Sequence, residues 1–278
     1  MRSEAEIEWA RVAPGRIVVA TARDASVHCP HEDTPADLFA VPMRHWGTAG
    51  TTRWLLDGSI GAAAFGRSRA RLNAPLTPLR WLWRLAGYYL TTSATSRLLP
   101  IAARRFGAAG RRALQRWAET GTREERGHDL LALRDIRALG YDPEVVIARC
   151  QPHTVTAIVE YFTRSVLHST NPIGCVGYSY ALERLAAEKG QAEIAAVQKI
   201  LPSGVDATRC LRVHSSAGSD AKHVAGTIAV VEHLSAAERA SVAKACYETA
   251  RLFYTPLRPE PTELQLQNLL AGDPADRP

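Results

Sequence analysis

The sequence lacks the marks of several common protein classes. Its cysteines are odd in number and scattered, and no two of them form a C-x-x-C pair, so neither a disulfide framework nor a thiolate zinc site is expected. No run of about 18 apolar residues is present to span a bilayer. The stretch 61–66 is rich in small residues but has no lysine, so it is not a phosphate-binding loop. The five cysteines are Cys29, Cys150, Cys175, Cys210 and Cys246.

The N-terminal residues also lack a targeting pattern. Glu4, Glu6 and Glu8 stand where a secretory signal would have a basic start followed by an apolar run. We therefore expect a cytoplasmic protein with reduced thiols, most of them small buried side chains, and no membrane association.

Residues 97–116 are rich in arginine and contain no aspartate or glutamate. The net charge is +6, and Arg97, Arg104 and Arg111 recur at a spacing that places them on one helix face. We interpret them as a solvated face; contact with an anionic substrate, a carrier protein or nucleic acid is the alternative. Aromatic residues are not interleaved with these arginines as a nucleic-acid stacking platform requires, so nucleic acid is not the expected partner.

What the sequence does contain is an ordinary apolar content with helical periodicity. Its 278 residues are 46% hydrophobic and 22% charged, which suits a globular protein with a substantial core. We find no internal repeat and no alternating strand pattern. The fold is predicted to be an all-α bundle over residues 46–257, preceded by an irregular arm over 1–45 and followed by a flexible tail over 258–278.

Capping and breaking residues predict where the helices begin and end. Thr77-Pro78 is typical of a helix N-terminus, and Pro100 should break or bend that helix. A helix over about 110–139 should stop at Gly140. A capping box opens the last long helix, over Ser235–Tyr254. Three further helices are predicted between these, over 152–167, 171–190 and 207–234.

Carboxylates and imidazoles recur at a spacing that suits metal binding. Glu124-Glu125-Arg126-Gly127-His128 and Asp220-Ala221-Lys222-His223 each place a carboxylate three residues before a histidine, and Glu183 stands alone between them in a small apolar strip. Residues at i and i+3 share one helix face. Either cluster alone is typical of a solvated pair. Three such elements on consecutive core-type helices favour a redox-active iron or manganese pair, because carboxylates and imidazoles are present without thiolate.

These residues resemble a known family. Glu124 to His128, continuing through Asp135 to Gly140, is similar to the E-E-x-G-H…D…A-L-G signature of haem-oxygenase-like diiron proteins, often described as TenA-like iron-containing redox enzymes. Gly177 to Glu183 resembles their second core helix, and Asp220 with His223 resembles their third. The resemblance covers roughly residues 85–255 and implies a haem-oxygenase-like, TenA-like helical bundle.

One position departs from the family pattern. The third helix of the family normally has a histidine four residues before the aspartate, where this chain has Ser216; the nearest histidine is His214. In a straight helix His214 and His223 point in opposite directions. A local unwinding or π-bulge at Gly218 would turn His214 back toward the site. Without one, a metal position loses a ligand.

The resemblance implies a ligand set and a reaction class. Glu125 and His128 would hold one iron, Glu183 would contact one or both irons, and the second iron would be held by His214, Asp220 and His223. Glu125, His128 and Glu183 would form the catalytic group. Two Fe(II) ions per chain, dioxygen as co-substrate and an external electron donor would oxidise an amino-acid-like or fatty-acid-like small molecule by N-oxygenation, desaturation or C–C cleavage. A homodimer is a further expectation.

Other interpretations stay open at this point. A metal-free TenA-like hydrolase would use a cysteine nucleophile, for which Cys175 is the candidate, and a haem protein would need His45 as its axial ligand. A non-catalytic helical interaction protein is a third possibility. Arg134 or Arg184 could hold a substrate carboxylate, although a salt bridge to a neighbouring acid is the simpler interpretation.

Tyr178 and Tyr180 could line a substrate pocket or pack in the core. Glu119 and Glu124 could add a carboxylate to the metal centre, although we expect both of them to be exposed.

Overall fold

A bundle of α-helices forms most of the protein, and a small antiparallel sheet precedes it in the chain. The computed structural model describes residues 7–30, 39, 43, 47–64, 75–187, 190–215, 219–255 and 258–271, without the side chains of residues 215 and 219–222. The predicted all-α class is confirmed for the bulk of the described residues. No helix within these ranges is both long and apolar enough to cross a membrane.

The helices follow the sheet in chain order and are numbered here from the first. They are α1 (Ala49–Ala64), α2 (Pro78–Ala108), α3 (Arg112–Glu124), α4 (His128–Ala138), α5 (Pro143–Arg149), α6 (His153–Leu167), α7 (Gly174–Ala187), α8 (Gly190–Ile200), α9 (Arg209–Ser215), α10 (Ser219–Val231), α11 (Ala236–Tyr254) and α12 (Glu263–Ala271).

The N-terminal sheet corrects the prediction of an irregular arm. Strands β1 (Glu8–Ala13), β2 (Arg16–Ala20) and β3 (Ala25–His28) pair in that order, antiparallel throughout. The alternating pattern escaped notice because a bulge near Ala13 shifts the register of β1 against β2, and because neighbouring residues of β2 are buried on both faces. The inner face packs on the helical core.

A buried ion pair fastens this sheet to the helices. Arg239 of α11 places its Nε 3.2 Å from Glu8 Oε2, and the two side chains are 1% and 6% exposed. Thr51 of α1 donates a hydrogen bond to the other Glu8 oxygen at 2.9 Å, and Arg239 also donates to the Leu234 carbonyl at 2.6 Å. Burial of both charges is tolerated because each is hydrogen-bonded.

Several helix ends lie where the capping residues predict them. The Thr77 side chain accepts from the Arg80 N–H with proline at the first helical position of α2, and Gly140, with φ 84°, follows the end of α4. Ser235 and Glu238 form the complete capping box at the start of α11. These three predictions are confirmed.

The structure bears on two predictions about helix continuity. Pro100 was expected to break or bend its helix, and α2 runs past it without breaking; Leu99 and Ala102 on either side of it are buried, and their packing offsets the lost hydrogen bond. The single helix expected over 110–139 is divided into α3 and α4. Gly127, with φ 83°, stands before the first residue of α4, a conformation that glycine adopts at little cost.

The tail was also predicted wrongly over part of its length. Residues 263–271 form α12, which the sequence analysis assigned to a flexible tail. Leu266 is fully buried in a core cluster with residues of α2 and α5, so this helix is held by packing on its apolar face. The short helices α5 and α8 were not predicted; Asp142 caps α5 by accepting from the Glu144 N–H.

Close packing of α7 on α11 depends on one glycine. A Cβ at Gly177 would lie 2.3 Å from the Val242 carbonyl oxygen and 2.7 Å from Ala245 Cβ. Because the first of these neighbours is backbone, the two helices would have to move apart. Phe162 of α6 stacks on Tyr178 beside this contact, with ring centroids 4.0 Å apart.

Gly177→Ala should therefore lower the free energy of unfolding by about 2 kcal/mol, the usual cost of overpacking a core. Urea denaturation of the purified variant measures it. Gly61→Ala in α1 is the matched control, because a Cβ there meets nothing within 4 Å; it should leave stability unchanged or raise it by up to about 1 kcal/mol. Equal stability of the two variants would contradict the close-packing argument.

Candidate metal centre

Three side chains from separate parts of the chain converge on one point. Glu125 follows α3, His128 opens α4 and His214 lies in the last turn of α9. One ligand atom from each lies within 4.8 Å of the others. All three side chains are partly buried, so the group faces the interior and keeps some access.

The turn at Gly127 brings Glu125 and His128 together. Glu125 caps the C-terminus of α3, and the chain turns through the left-handed conformation of Gly127 before α4 begins. His128 Nδ1 and Glu125 Oε2 are then 3.0 Å apart, at hydrogen-bond distance. The sequence analysis expected this contact because it placed both residues on one helix face. The contact is present, but the turn between α3 and α4 brings the two residues together.

His214 lies against His128. The two imidazole rings are 5.0 Å apart at their centroids and are almost perpendicular, at 88°. The sequence analysis grouped His214 with Asp220 and His223 around a second iron. In the structure His214 lies beside Glu125 and His128.

A buried carboxylate holds α9 in this position. Asp135 of α4 is fully buried; its Oδ1 accepts from Arg209 Nη1 at 3.0 Å, and its Oδ2 accepts from the Cys210 N–H at 3.0 Å. Both donors lie at the start of α9, the helix that carries His214. Asp135 therefore ties the helix of His128 to the helix of His214.

A second group of ionisable side chains surrounds His223 of α10. His223 Nε2 lies 3.1 Å from Glu124 Oε2, and His223 Nδ1 lies 3.8 Å from Glu183 Oε1. The residues come from α10, α3 and α7. Glu183 and His223 are thus close together as the sequence suggested, while their role as ligands stays a prediction.

Glu124 is the residue that the sequence analysis undervalued. We expected it to be exposed, but its side chain is 32% exposed and paired with His223. The face of α3 that lines the cavity includes Ala113, Trp117, Thr120 and Glu124, whose spacing of three and four residues was visible in the sequence.

The remaining predicted features of the third helix cannot be placed. The side chain of Asp220 and residues Ser216 and Gly218 lie outside the described residues, so the predicted bulge and the Asp220 ligand stay predictions. The same holds for His45. His214 and His223, which a straight helix would point in opposite directions, both face the same cavity.

This cavity has a volume of about 1910 Å³ and is lined mainly by apolar surface. Glu125, Glu183, His214 and His223 all open into it. Pockets for drug-sized ligands are usually smaller, roughly 300–1,000 Å³. The carboxylates and imidazoles therefore form a small polar centre in a large, mainly apolar cavity.

Comparison with known proteins agrees with this arrangement. A family described as iron-containing redox enzymes matches residues 84–254, which is more than half of the 278 residues. The chain belongs to this family of iron-containing redox enzymes. The resemblance drawn from residues 85–255 of the sequence is thereby confirmed.

The fold is similar to the crystal structure of a TenA homolog from Pseudomonas syringae pv. tomato str. DC3000, with a TM-score of 0.57 and 16% identity over 75% of this chain and 92% of that chain. At this identity the likeness establishes the fold alone. No curated protein matches the sequence.

The residues present fit the iron that the family description implies. Two imidazoles and one carboxylate converge without thiolate, a donor set that suits iron with open coordination positions. The second group offers one more imidazole with the carboxylates of Glu124 and Glu183. Buried or half-buried carboxylates that face one another are costly unless a cation or a protonated partner balances them.

Residues favoured by other interpretations have different roles. Arg184 donates to both oxygens of Asp57, at 2.9 and 3.2 Å, and Tyr180 donates to the same carboxylate at 2.8 Å. The salt-bridge interpretation of Arg184 thus describes its contacts. Arg134 is exposed, and Tyr178 is a buried core ring whose edge lines the cavity.

Asp135→Asn should loosen α9 and weaken metal binding. Arg209 and the Cys210 N–H both donate to this carboxylate, and the amide of Asn would face one of these donors with an N–H instead of an acceptor. We therefore expect the free energy of unfolding to fall by about 2 kcal/mol. We also expect Fe(II) to bind at least about tenfold more weakly. Denaturation and anaerobic titration measure the two effects. Arg209→Gln, which removes one of the two hydrogen bonds, should cost less. An Asn variant equal to wild type in both measurements would contradict this role.

The two histidines of the first group should titrate in a definite order in the metal-free protein. The hydrogen bond that His128 donates to the Glu125 carboxylate raises the pKa of His128 above its ordinary 6.5, against the effect of partial burial. Burial lowers the pKa of His214 below the same value, and the charges of His128 and His223 add to this. Burial raises the pKa of Glu125, but the hydrogen bond from His128 and the charges of the three histidines outweigh burial and lower this pKa below its ordinary 4.5.

NMR titration should therefore show His128 losing its proton at higher pH than His214. The Glu125–His128 pair stabilises the folded state fully between the ordinary values of 4.5 and 6.5. Its contribution is lost as the pH falls through the lowered pKa of Glu125 or rises through the raised pKa of His128. Glu125→Gln should lower the pKa of His128; the reverse order of the two histidines would overturn the assignment.

Proposed function

We propose that the protein is a non-haem diiron enzyme that uses dioxygen to oxidise a small molecule. The observation that carries this proposal is the convergence of Glu125, His128 and His214 on one point beside a large cavity. Membership of the iron-containing redox enzymes supports the metal and the redox chemistry. The second group of ionisable side chains around His223 is the support for proposing two ions per chain rather than one.

Each side chain has a definite task in this proposal. Glu125, His128 and His214 would hold one iron, while Glu183 and His223 would hold the other together with Asp220. When bound, the iron pair would supply electrons and Lewis acidity for the reduction of dioxygen. The Glu125 carboxylate orients His128 through their hydrogen bond, and Glu124, beside His223, adds negative charge that favours a cation there.

The cavity supports a fatty-acid-like substrate over an amino-acid-like one. A volume of about 1910 Å³ with a mainly apolar lining exceeds what a small polar molecule would fill. Desaturation or C–C cleavage of an apolar chain is then the favoured reaction, and N-oxygenation of an amine-bearing substrate is second. An external electron donor would be required, and a homodimer remains part of the proposal.

The metal-free hydrolase is disfavoured by its nucleophile. Cys175 is fully buried, burial raises the pKa of its thiol, and it does not belong to the cavity lining. A catalytic cysteine needs a thiolate within reach of the substrate. A non-catalytic interaction protein would not explain why Glu125, His128 and His214 converge on one point.

Anaerobic loading with Fe(II) tests the proposal. The wild-type chain should retain about two iron ions after desalting, and exposure to oxygen should give a transient visible absorption. His214→Ala and Glu183→Gln should each lower the iron content, because each removes a donor from a different group. Iron is measured by a colorimetric chelator assay.

His168→Ala is the matched control for these variants. His168 is exposed at the end of α6 and lies outside both groups, so its replacement should leave the iron content unchanged. Wild-type protein that retains no iron would overturn the proposal, and retention of one ion in the wild type would reduce it to a mononuclear site.

A further inference from the structure

The C-terminal segment 258–271 lies beyond the part of the chain that matches the family, which ends at residue 254. It nevertheless forms part of the cavity: Arg258, Pro259, Glu260 and Pro261 all line it. The family match therefore does not include this part of the wall, and the role of the segment is inferred from its contacts.

Ion pairs fasten the segment to α2. Glu260 lies 3.4 Å from Arg80 Nη1 and 3.8 Å from Arg84 Nη2. Glu263 accepts from the Thr77 hydroxyl at 2.7 Å and lies 3.9 Å from Arg80 Nε. Arg80 is 11% exposed, whereas Glu260 and Glu263 are 39% and 40% exposed, so solvent partly screens these ion pairs on the outer side of the segment.

Packing of α12 adds to these contacts. Leu266 is fully buried in the cluster that includes α2 and α5, and Arg149 at the end of α5 donates to the Leu270 carbonyl at 3.2 Å. The segment is therefore docked at both of its ends, with its cavity-lining residues 258–261 preceding α12.

Position along α2 shows which end of the cavity the segment closes. Ser96 of α2 donates to the Glu125 carbonyl at 3.4 Å, so the metal centre lies beside Ser96. Arg84 is twelve residues earlier in the same helix, a distance of about 18 Å at 1.5 Å per residue. Residues 258–261 therefore close an arm of the cavity that extends about 18 Å from the metal centre.

The cavity also continues in the opposite direction. α3 runs antiparallel to α2, since Gly121 lies against Leu99 and Gly107 against Gln115. Arg116, which lines the cavity, is therefore on the far side of the metal centre from Arg84. The metal centre stands between two arms, of which the segment 258–261 closes one.

We propose that residues 258–261 form the end wall of the substrate arm and set the length of the substrate that the cavity accepts. The inference rests on the proposed function, because it takes the apolar cavity as the place of a fatty-acid-like substrate. Glu260 is the wall residue that is held in ion pairs, and an apolar chain end cannot pass it without leaving its charge desolvated. Glu260 is the central wall residue, since it pairs with both Arg80 and Arg84.

Binding of saturated alkanoates, from octanoate to hexadecanoate, to the iron-free full-length protein tests the proposal by calorimetry. Glu260→Ala puts a shorter side chain in the wall and leaves more room in this arm of the cavity. The longest alkanoate that binds should therefore be longer than in the wild type, and the shortest alkanoate that the wild type rejects should gain about tenfold or more in affinity. Glu260→Trp puts a longer side chain there, and the longest alkanoate that binds should be shorter.

Glu263→Ala is the matched control. It removes a carboxylate from the same segment and the same Arg80, but Glu263 does not line the cavity, so the length limit should not move. Circular dichroism and thermal denaturation confirm that each variant is folded; should Glu260→Trp fail to fold, Glu260→Ala and Glu263→Ala decide the question.

Three outcomes would count against the proposal in different ways. An unchanged length limit in the Glu260 variants overturns the end wall and leaves the proposed function standing. A limit that moves equally in Glu263→Ala shows a loosened segment and also overturns the wall. Failure of every alkanoate to bind the wild type overturns the substrate class together with the wall, whereas the iron content tests the metal centre separately.

Discussion

The geometry of the metal centre depends on the carboxylate of Asp135. It is fully buried and shared between Arg209 and the backbone of Cys210, yet it lies about two helical turns from His128 along α4. Both hydrogen bonds lie at the start of α9 (Arg209–Ser215). They therefore help to fix the position of this helix, and so that of His214.

Buried packing supports the same arrangement from the other side. Trp81 of α2 is fully buried and donates to the Ala207 carbonyl at 2.8 Å, just before α9 begins. Gly177 lets α7 approach α11 closely, which fixes the helix that carries Glu183. The ligand-like side chains are thus positioned by core residues that make no contact with the centre.

How much of this could be predicted from the sequence differs between the fold and the site. The ends of α2, α4 and α11 were predictable because local capping residues decide them. The sheet and α12 were not predictable, since both depend on burial against distant elements such as α11 and α5.

In the site, the spacing of Glu125 and His128 in the sequence was informative. The role of Asp135 was hidden, because it depends on a partner more than seventy residues away.

Charge balance gives the clearest reason to connect the two groups into one centre. Glu124, Glu125 and Glu183 bring three carboxylates toward three histidines, and the field of His223 reaches Glu125. Without a metal, the only positive charge among these six side chains is on protonated imidazoles, and burial opposes that charge on His214.

Two divalent cations would balance the three carboxylates and Asp220, if Asp220 joins them, and would leave every imidazole neutral and free to coordinate. A single cation would leave the carboxylates beside His223 with too little compensation in a partly buried place. This balance of charge is the physical argument behind the proposal of two ions rather than one.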